Sequence, residues 1–251
     1  FALDASASAA GKGAYAARIA LDSIEIRNKH RTDRIRPTSV SLHTDSAATR
    51  AEAASGDLSL TFSTPQSADS LIAALTRSAR ALAGQIDAQS IDMEQLKPAL
   101  PDFALRVSAG PDNILNSLLK SRKIAFDALN AEGANCDSLP VSIRLRTEGL
   151  AYGNVVLDTV TADIRQNGKR LEYALGLANA PGNLDNIARA GLYGHLVRNT
   201  GQANLYQRNR AGREGFRFGL DVTWTDSLVR ASVTPPDPLF GFEPWTVNRG
   251  N

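Results

Sequence analysis

Gly153-Asn-Val-Val-Leu-Asp-Thr-Val-Thr-Ala-Asp-Ile-Arg165, then Gln166-Asn167-Gly168-Lys169, then Arg170-Leu-Glu-Tyr-Ala-Leu-Gly-Leu-Ala178 is the stretch that decides the fold. Asn167-Gly168 is a strong hairpin signal, because both central residues of a type I′ turn need positive φ. On the descending arm Leu171, Tyr173, Leu175 and Leu177 fall on one face, and Arg170, Glu172, Ala174 and Gly176 on the other. On the ascending arm Val160, Ala162 and Ile164 alternate with Thr161, Asp163 and Arg165. A period of two, apolar on one side and polar on the other, reads as antiparallel sheet with one oily face.

The same unit recurs along the chain. Leu58, Leu60 and Phe62 alternate; so do Phe103, Leu105 and Val107, then Val141, Ile143 and Leu145. Nearer the C-terminus Phe216, Phe218, Leu220, Val222 and Trp224 share one side. Weaker alternation joins Tyr15, Ala17, Ile19 and Leu21, then Ile24 and Ile26, and later Val40 and Leu42, with Ser-, Ala- and Thr-rich turns between. About a dozen strands on short turns imply a mainly β fold, a long antiparallel sheet. Such a sheet would run on the order of 50–60 Å and must curl or split. Curling around a thinly furnished apolar side leaves an open β-groove.

The period changes once. Thr64-Pro65 reads as a cap followed by a helix, and Leu71, Ile72, Leu75, Ala79 and Leu82 form one stripe opposed by Asp69, Arg77 and Arg80. Gly84 is placed to end this helix. An amphipathic helix inserted between strands packs as a lid or plug on the sheet, or lies on a membrane surface. The helical insertion covers about residues 64–99, with a further turn at Met93–Leu96. A second, short helix follows Asp112 over Ile114–Arg122.

Bulk properties narrow the function classes. Only 15 of 251 residues are aromatic, too few for a closed core of this length, and a net charge of +2 offers no concentrated basic face for nucleic acid. A basic run from Arg27 to Arg36, around His30, reads as a solvated loop or as a contact for acidic head groups. Cys136 is the sole cysteine, so the chain has no internal disulfide. No run reaches the ~20 apolar residues of a membrane helix. The start at Phe1-Ala2-Leu3-Asp4 and the stop at Val247–Asn251 read as a segment of a longer protein.

Catalytic patterns are weak. Gly11-Lys12-Gly13-Ala14-Tyr15-Ala16 has no buried strand before it or helix after it, as a dinucleotide site needs. Ser41, His43 and Asp45 lie ~6.6 Å apart on one strand face, spaced for solvent instead of proton transfer. His30, His43 and His195 share no ligand spacing. The reading is non-enzymatic, without cofactor or metal.

The end of the chain is the most distinctive: Thr234-Pro-Pro-Asp-Pro-Leu-Phe-Gly-Phe-Glu-Pro-Trp-Thr-Val-Asn248. Its prolines cannot continue a central strand, so it reads as an edge crossover laying Phe240, Phe242 and Trp245 over the end of the groove. This passage resembles the C-terminal region of TamB-domain proteins of Bacteroides-type bacteria. Leu100–Asn113 with its short helix, the Asp163–Gly176 hairpin, and Gly191-Leu-Tyr-Gly194 followed by Gly212 fit the same family, covering about residues 100–251. Asn248-Arg249-Gly250-Asn251 departs from it, lacking the acidic residue expected before the last Asn.

The resemblance implies a single segment of a periplasmic β-groove protein reaching from the inner to the outer membrane, with an N-terminal inner-membrane anchor outside this sequence. Such proteins are similar to AsmA-like, bridge-like lipid transfer proteins. They are implicated in phospholipid transport, or in inserting outer-membrane barrels with a TamA- or BamA-type partner. On this reading Leu58, Leu60, Phe103, Leu105, Val107, Val141, Ile143, Leu145, Ile164, Leu171, Tyr173, Leu175, Leu177, Phe216, Phe218, Leu220 and Val222 are the groove lining and contact phospholipid acyl chains. A structural spacer is the remaining alternative.

Overall fold

The structure, a computed structural model, describes residues 3–9, 11, 13–22, 24–27, 32–179, 187–225, 227–234 and 237–246. It is mainly β, one 17-stranded antiparallel sheet that does not close into a barrel, with three α-helices. The first strands are β1 (Leu3–Ala9), β2 (Tyr15–Leu21), β3 (Ile24–Arg27), β4 (Thr32–Ile35), β5 (Thr38–Thr44), β6 (Thr49–Ser55) and β7 (Leu58–Thr64). An insertion follows, made of α1 (Ala68–Asp87), α2 (Met93–Leu96) and a 3₁₀ turn (Lys97–Ala99). Then come β8 (Phe103–Ala109), α3 (Ile114–Lys120), β9 (Ile124–Ala125), β10 (Ala128–Cys136), β11 (Leu139–Tyr152), β12 (Val155–Asn167) and β13 (Arg170–Asn179). The chain finishes with β14 (Arg189–Val197), β15 (Thr200–Arg208), β16 (Glu214–Thr225), β17 (Leu228–Val233), β18 (Leu239–Phe240) and β19 (Glu243–Pro244).

The sheet is a meander in which almost every strand pairs with its neighbours in sequence; β3 and β4 form a separate two-stranded sheet. Tight turns hold this order. Gly56, Gly153 and Gly168 each take φ near +60° as the first of two loop residues, and Arg198 does so at +52°. In the hairpin that opened the sequence reading, Asn167 pairs with Arg170, so the loop is Gly168-Lys169. The expected Asn167-Gly168 turn is thus shifted by one, because glycine at the first central position suits a type II′ turn and frees Asn167 to extend the strand. The Asn167 amide instead donates to Glu172 Oε1 at 2.7 Å.

Strands also lie where a turn or loop was expected or nothing was read: β1, β4 within the basic run read as a loop, β6 and β10. β6 and β10 are rich in Ala and polar residues, poor strand formers that pair here because both neighbours impose the ladder.

The insertion crosses one rim of the sheet. The α1 N-terminus is tied to β5 and β6, where the Ala68 amide donates to Thr44 Oγ1 at 3.0 Å and Thr49 Oγ1 to the Gln66 carbonyl at 2.8 Å. Its far end reaches β16, with Trp224 Nε1 donating to the Gln89 carbonyl. The returning segment meets the strand ends in turn: Ile91 bridges Arg198, the Met93 amide donates to the Lys169 carbonyl at 3.2 Å, and Lys97 Nζ to the Leu139 carbonyl at 3.0 Å. Flat strands at ~4.8 Å would place β16 about 48 Å from β5, whereas a 20-residue helix spans about 30 Å. The helix is the chord of an arc. The sheet therefore coils, and α2 sits on its apolar side, where Met93 and Leu96 are buried against Val141 and Leu171.

Helix boundaries differ from expectation for physical reasons. Thr64 is paired in β7, so Ser67 is the N-cap, its Oγ accepting from the Ser70 amide at 3.3 Å. α1 runs through Gly84 to Asp87. In α3 the cap is Asn113, not Asp112, and the helix ends at Lys120. Asp112 instead pairs with Arg36 at 2.7 Å.

The opposite rim is locked by Asp57. Partial burial opposes its ionisation, but Asn113 Nδ2 at 2.6 Å and the Asp112 amide at 2.9 Å donate to it and outweigh burial, holding its pKa below the ordinary value. A carboxyl with a depressed native pKa stabilises the fold above its unfolded value of about 3.9, and that contribution is lost as pH falls through the native value. The expected outcome is that Asp57→Asn is less stable than the parent at neutral pH, yet loses less further stability between about pH 6 and about pH 3 in urea titrations.

Candidate functional site

Register, read strand by strand, assembles the apolar positions. Ile19 pairs with Val40, Val40 with Ala53, Ala53 with Leu60 and Leu60 with Val107. Val107 pairs with Ala131, Ala131 with Leu145, Leu145 with Ala162 and Ala162 with Leu175. Leu175 then pairs with Leu192, Leu192 with Leu205, Leu205 with Phe218, and the neighbouring Leu220 with Val233. Directly opposed residues in an antiparallel pair share a face. The strand residues singled out in the sequence therefore lie together: Leu58, Leu60, Phe103, Leu105 and Val107 in β7 and β8; Val141, Ile143, Leu145 and Ile164 in β11 and β12; Leu171, Tyr173, Leu175 and Leu177 in β13; Phe216, Phe218, Leu220 and Val222 in β16. One face is apolar from β1 to β18.

No second layer seals this face. Ile19, Val40, Ile143 and Leu175 remain 48, 47, 45 and 44% exposed. Buried apolar side chains among the described residues are few, namely Ala74, Met93, Leu96, Ala109, Phe126 and Val141, and most of these lie under the helices or beside them. A dry barrel or sandwich interior would bury the strand leucines instead. Bulky and small residues alternate across the face: Ala51 and Ala53 of β6 lie between Val40/Leu42 and Leu60/Phe62, and Gly133 of β10 receives the Phe103 ring, where a Cβ would come within 3.2 Å. Polar members of this face collect at the rims, where Thr44 contacts Thr49 and Thr38 contacts Ser55, each at 2.8 Å.

The reverse face is charged but balanced. Arg106–Glu132 at 3.3 Å, Arg144–Asp163 at 3.5 Å and Arg165–Glu172 at 2.8 Å are each pairs of directly opposed strand residues. The Asn167 amide, then Arg165, hold the Glu172 pKa below its usual range. His43 Nε2 lies 3.8 Å from Asp45 Oδ2 on the exposed surface, with no nucleophile in hydrogen-bond contact with it. Among the described residues no acidic, His or Cys cluster is placed to hold a metal, and no helix is long and apolar enough to cross a membrane.

No protein-family model matches the chain, and comparison with curated proteins and with solved structures gives no match.

Two expected groups are rearranged. The α1 stripe was expected to pack on the sheet or to lie on a membrane surface; of its residues only Leu71 is in the docked face, which runs through Leu71, Ala74, Ser78, Ala81 and Gln85, turned about a quarter-circle away. Small side chains allow close approach to the returning segment, and Ser78 Oγ donates to the Ala99 carbonyl at 2.6 Å. Ile72, Leu75, Ala79 and Leu82 are left exposed. Among the terminal aromatics, Phe240 joins Phe216 and Trp245 edge-on, at 5.2 and 5.7 Å between ring centres. Phe242 does not: it occupies the β18–β19 turn at φ +71°, packs on Gly215 and lies under Arg213 at 4.9 Å. Residues 247–251, the end of the distinctive passage, lie outside the described residues, as do residues 28–31 of the basic run.

Sequence reasoning passed over Ala51, Ala53, Ala131 and Gly133, whose value lies in the room they leave. Gly133→Val is expected to displace the Phe103 ring and cost about 1–3 kcal/mol in chemical denaturation, whereas Ala131→Val, one pair along, costs less.

Proposed function

We propose that the apolar face carries the acyl chains of phospholipids, as a segment of a TamB-like periplasmic groove between the inner and outer membranes. The supporting observation is the register itself: aliphatic side chains follow one another across the whole sheet and remain open to solvent. Burying a methylene is worth about 0.8 kcal/mol, so a sixteen-carbon chain bared to water costs on the order of 10 kcal/mol. A continuous face of Leu, Val, Ile and Ala removes much of that cost at each position. It offers few converging polar groups, so no position binds a chain much more tightly than the next. The polar rims suit head groups left at the water boundary, and the reading requires no catalysis, cofactor or metal.

A photo-crosslinking residue at Leu175 is expected to capture labelled phospholipid, and one at Glu172 on the reverse face is not. Equal labelling at both would sink the reading. Leu175→Asp should lower lipid co-purifying with the chain, measured by mass spectrometry, to background. Because Leu175 is 44% exposed, that change should shift stability by about 1 kcal/mol.

A second reading takes β1, which among the described residues is paired only with β2, as a template for strands of an outer-membrane barrel with a TamA- or BamA-type partner. There, proline substitutions along Leu3–Ala9 should abolish barrel assembly while Leu175→Asp leaves it intact; the reverse result rejects it.

A further inference from the structure

We infer that the polar face of β12–β16 is a binding site for a neutral oligosaccharide. Two adjoining depressions lie there, of about 650 and 390 Å³, and Asp163, Ala174 and Tyr193 border both. Each is within the size range of small-ligand sites. Tyr193 is 50% exposed and rises between them, its ring tilted 56° from that of Tyr206 at 6.2 Å between centres. Tyr206 is committed elsewhere, lying across Gly191, where a Cβ would come within 2.5 Å of its ring, with Arg208 over it at 5.4 Å. Tyr193 is thus the platform left for a ligand, beside Ala174; Gly176 and Gly219 border the same depression, but Thr161 Oγ1 lies over the first and Thr234 Oγ1 and Asn204 over the second.

The polar groups define the ligand class. Glu214 is held by Arg217 at 2.6 Å and Arg208 at 3.7 Å, Asp163 by Arg144, and Glu172 by Arg165. Every carboxylate bordering the two depressions is paired with a guanidinium, so neither an anion nor a cation gains a net field there. Two groups bordering the larger depression are buried without a hydrogen-bond partner among the described residues, Arg217 Nε and Thr234 Oγ1. Both atoms are closed to solvent, so recognition of a ligand falls to the exposed groups around them. An aromatic platform takes the C–H face of a sugar ring, while Asn204 and the paired charges present planar donors and acceptors to its hydroxyls. Two adjoining depressions that share the platform call for at least two rings. Most of these residues lie on the reverse face, although Leu175 and Leu205 also border the larger depression, and the inference does not rest on the acyl-chain reading.

The test titrates chitotetraose, cellotetraose and maltotetraose into the full chain, followed by amide chemical shifts. Shifts confined to β12–β16 with at least one sugar are expected, and Tyr193→Ala should weaken binding about tenfold while Tyr193→Phe retains it. Ala174→Leu, which fills the floor without touching the platform, should abolish binding. Circular dichroism establishes that each variant is folded. The proposal is overturned by no response to any of the three sugars at about 10 mM, weaker than the millimolar end of measurable affinity. Undiminished binding in both Tyr193→Ala and Ala174→Leu, or tighter binding of inorganic phosphate at the same amides, overturns it equally.

Discussion

Parity is the constraint on which this molecule depends. In an antiparallel ladder a slip of one residue sends every side chain of a strand to the other face. The apolar face therefore survives only if each turn and each bulge returns the chain in phase. Two-residue loops with a left-handed first residue do this at Gly56, Gly153, Gly168 and Arg198. Where the register does shift, as between Leu157 and Thr159, it does so close to a strand end, and the phase of the central positions is unaffected. The paired guanidinium–carboxylate ladder on the reverse face reinforces the phase, since Arg106, Arg144 and Arg165 meet their carboxylates only in the correct register.

Much of this was legible from residue types alone. Leu171, Tyr173, Leu175 and Leu177 declare their face by alternation, and the structure brings them opposite Leu196, Gly194, Leu192 and Ala190. What alternation cannot declare is a strand whose inward residues are small. Ala51, Ala53, Ala131 and Gly133 carry almost no hydrophobic signal, and their place in the ladder is imposed by β5, β7, β8 and β11. The helix shows a second limit. Hydrophobicity marked Ile72, Leu75 and Leu82 as the buried stripe, but docking followed Ala74 and Ser78, because close backbone approach and a hydroxyl-to-carbonyl bond decided the contact. Similarly, nothing in Gly241-Phe242 announces a turn with two left-handed residues, and Phe242 is carried off the aromatic cluster by that turn.

The two faces divide labour by chemistry. One offers methyl and methylene groups framed by hydrogen-bonded threonines and serines, and suits ligands that need only to be kept from water. The other offers paired charges, an exposed tyrosine and two adjoining depressions, groups that act by direction as well as by area. A single layer of strands serves both because side chains of successive residues never meet across it.

The cross-bar formed by α1 and its returning segment has a geometric corollary. It is fastened near β5 at one end and β16 at the other, so it acts on the sheet as a string acts on a bow. Each residue added to or removed from the helix alters the span by about 1.5 Å. How tightly this layer bends is therefore encoded in a helical residue count, a quantity that insertions and deletions can adjust without altering a single strand.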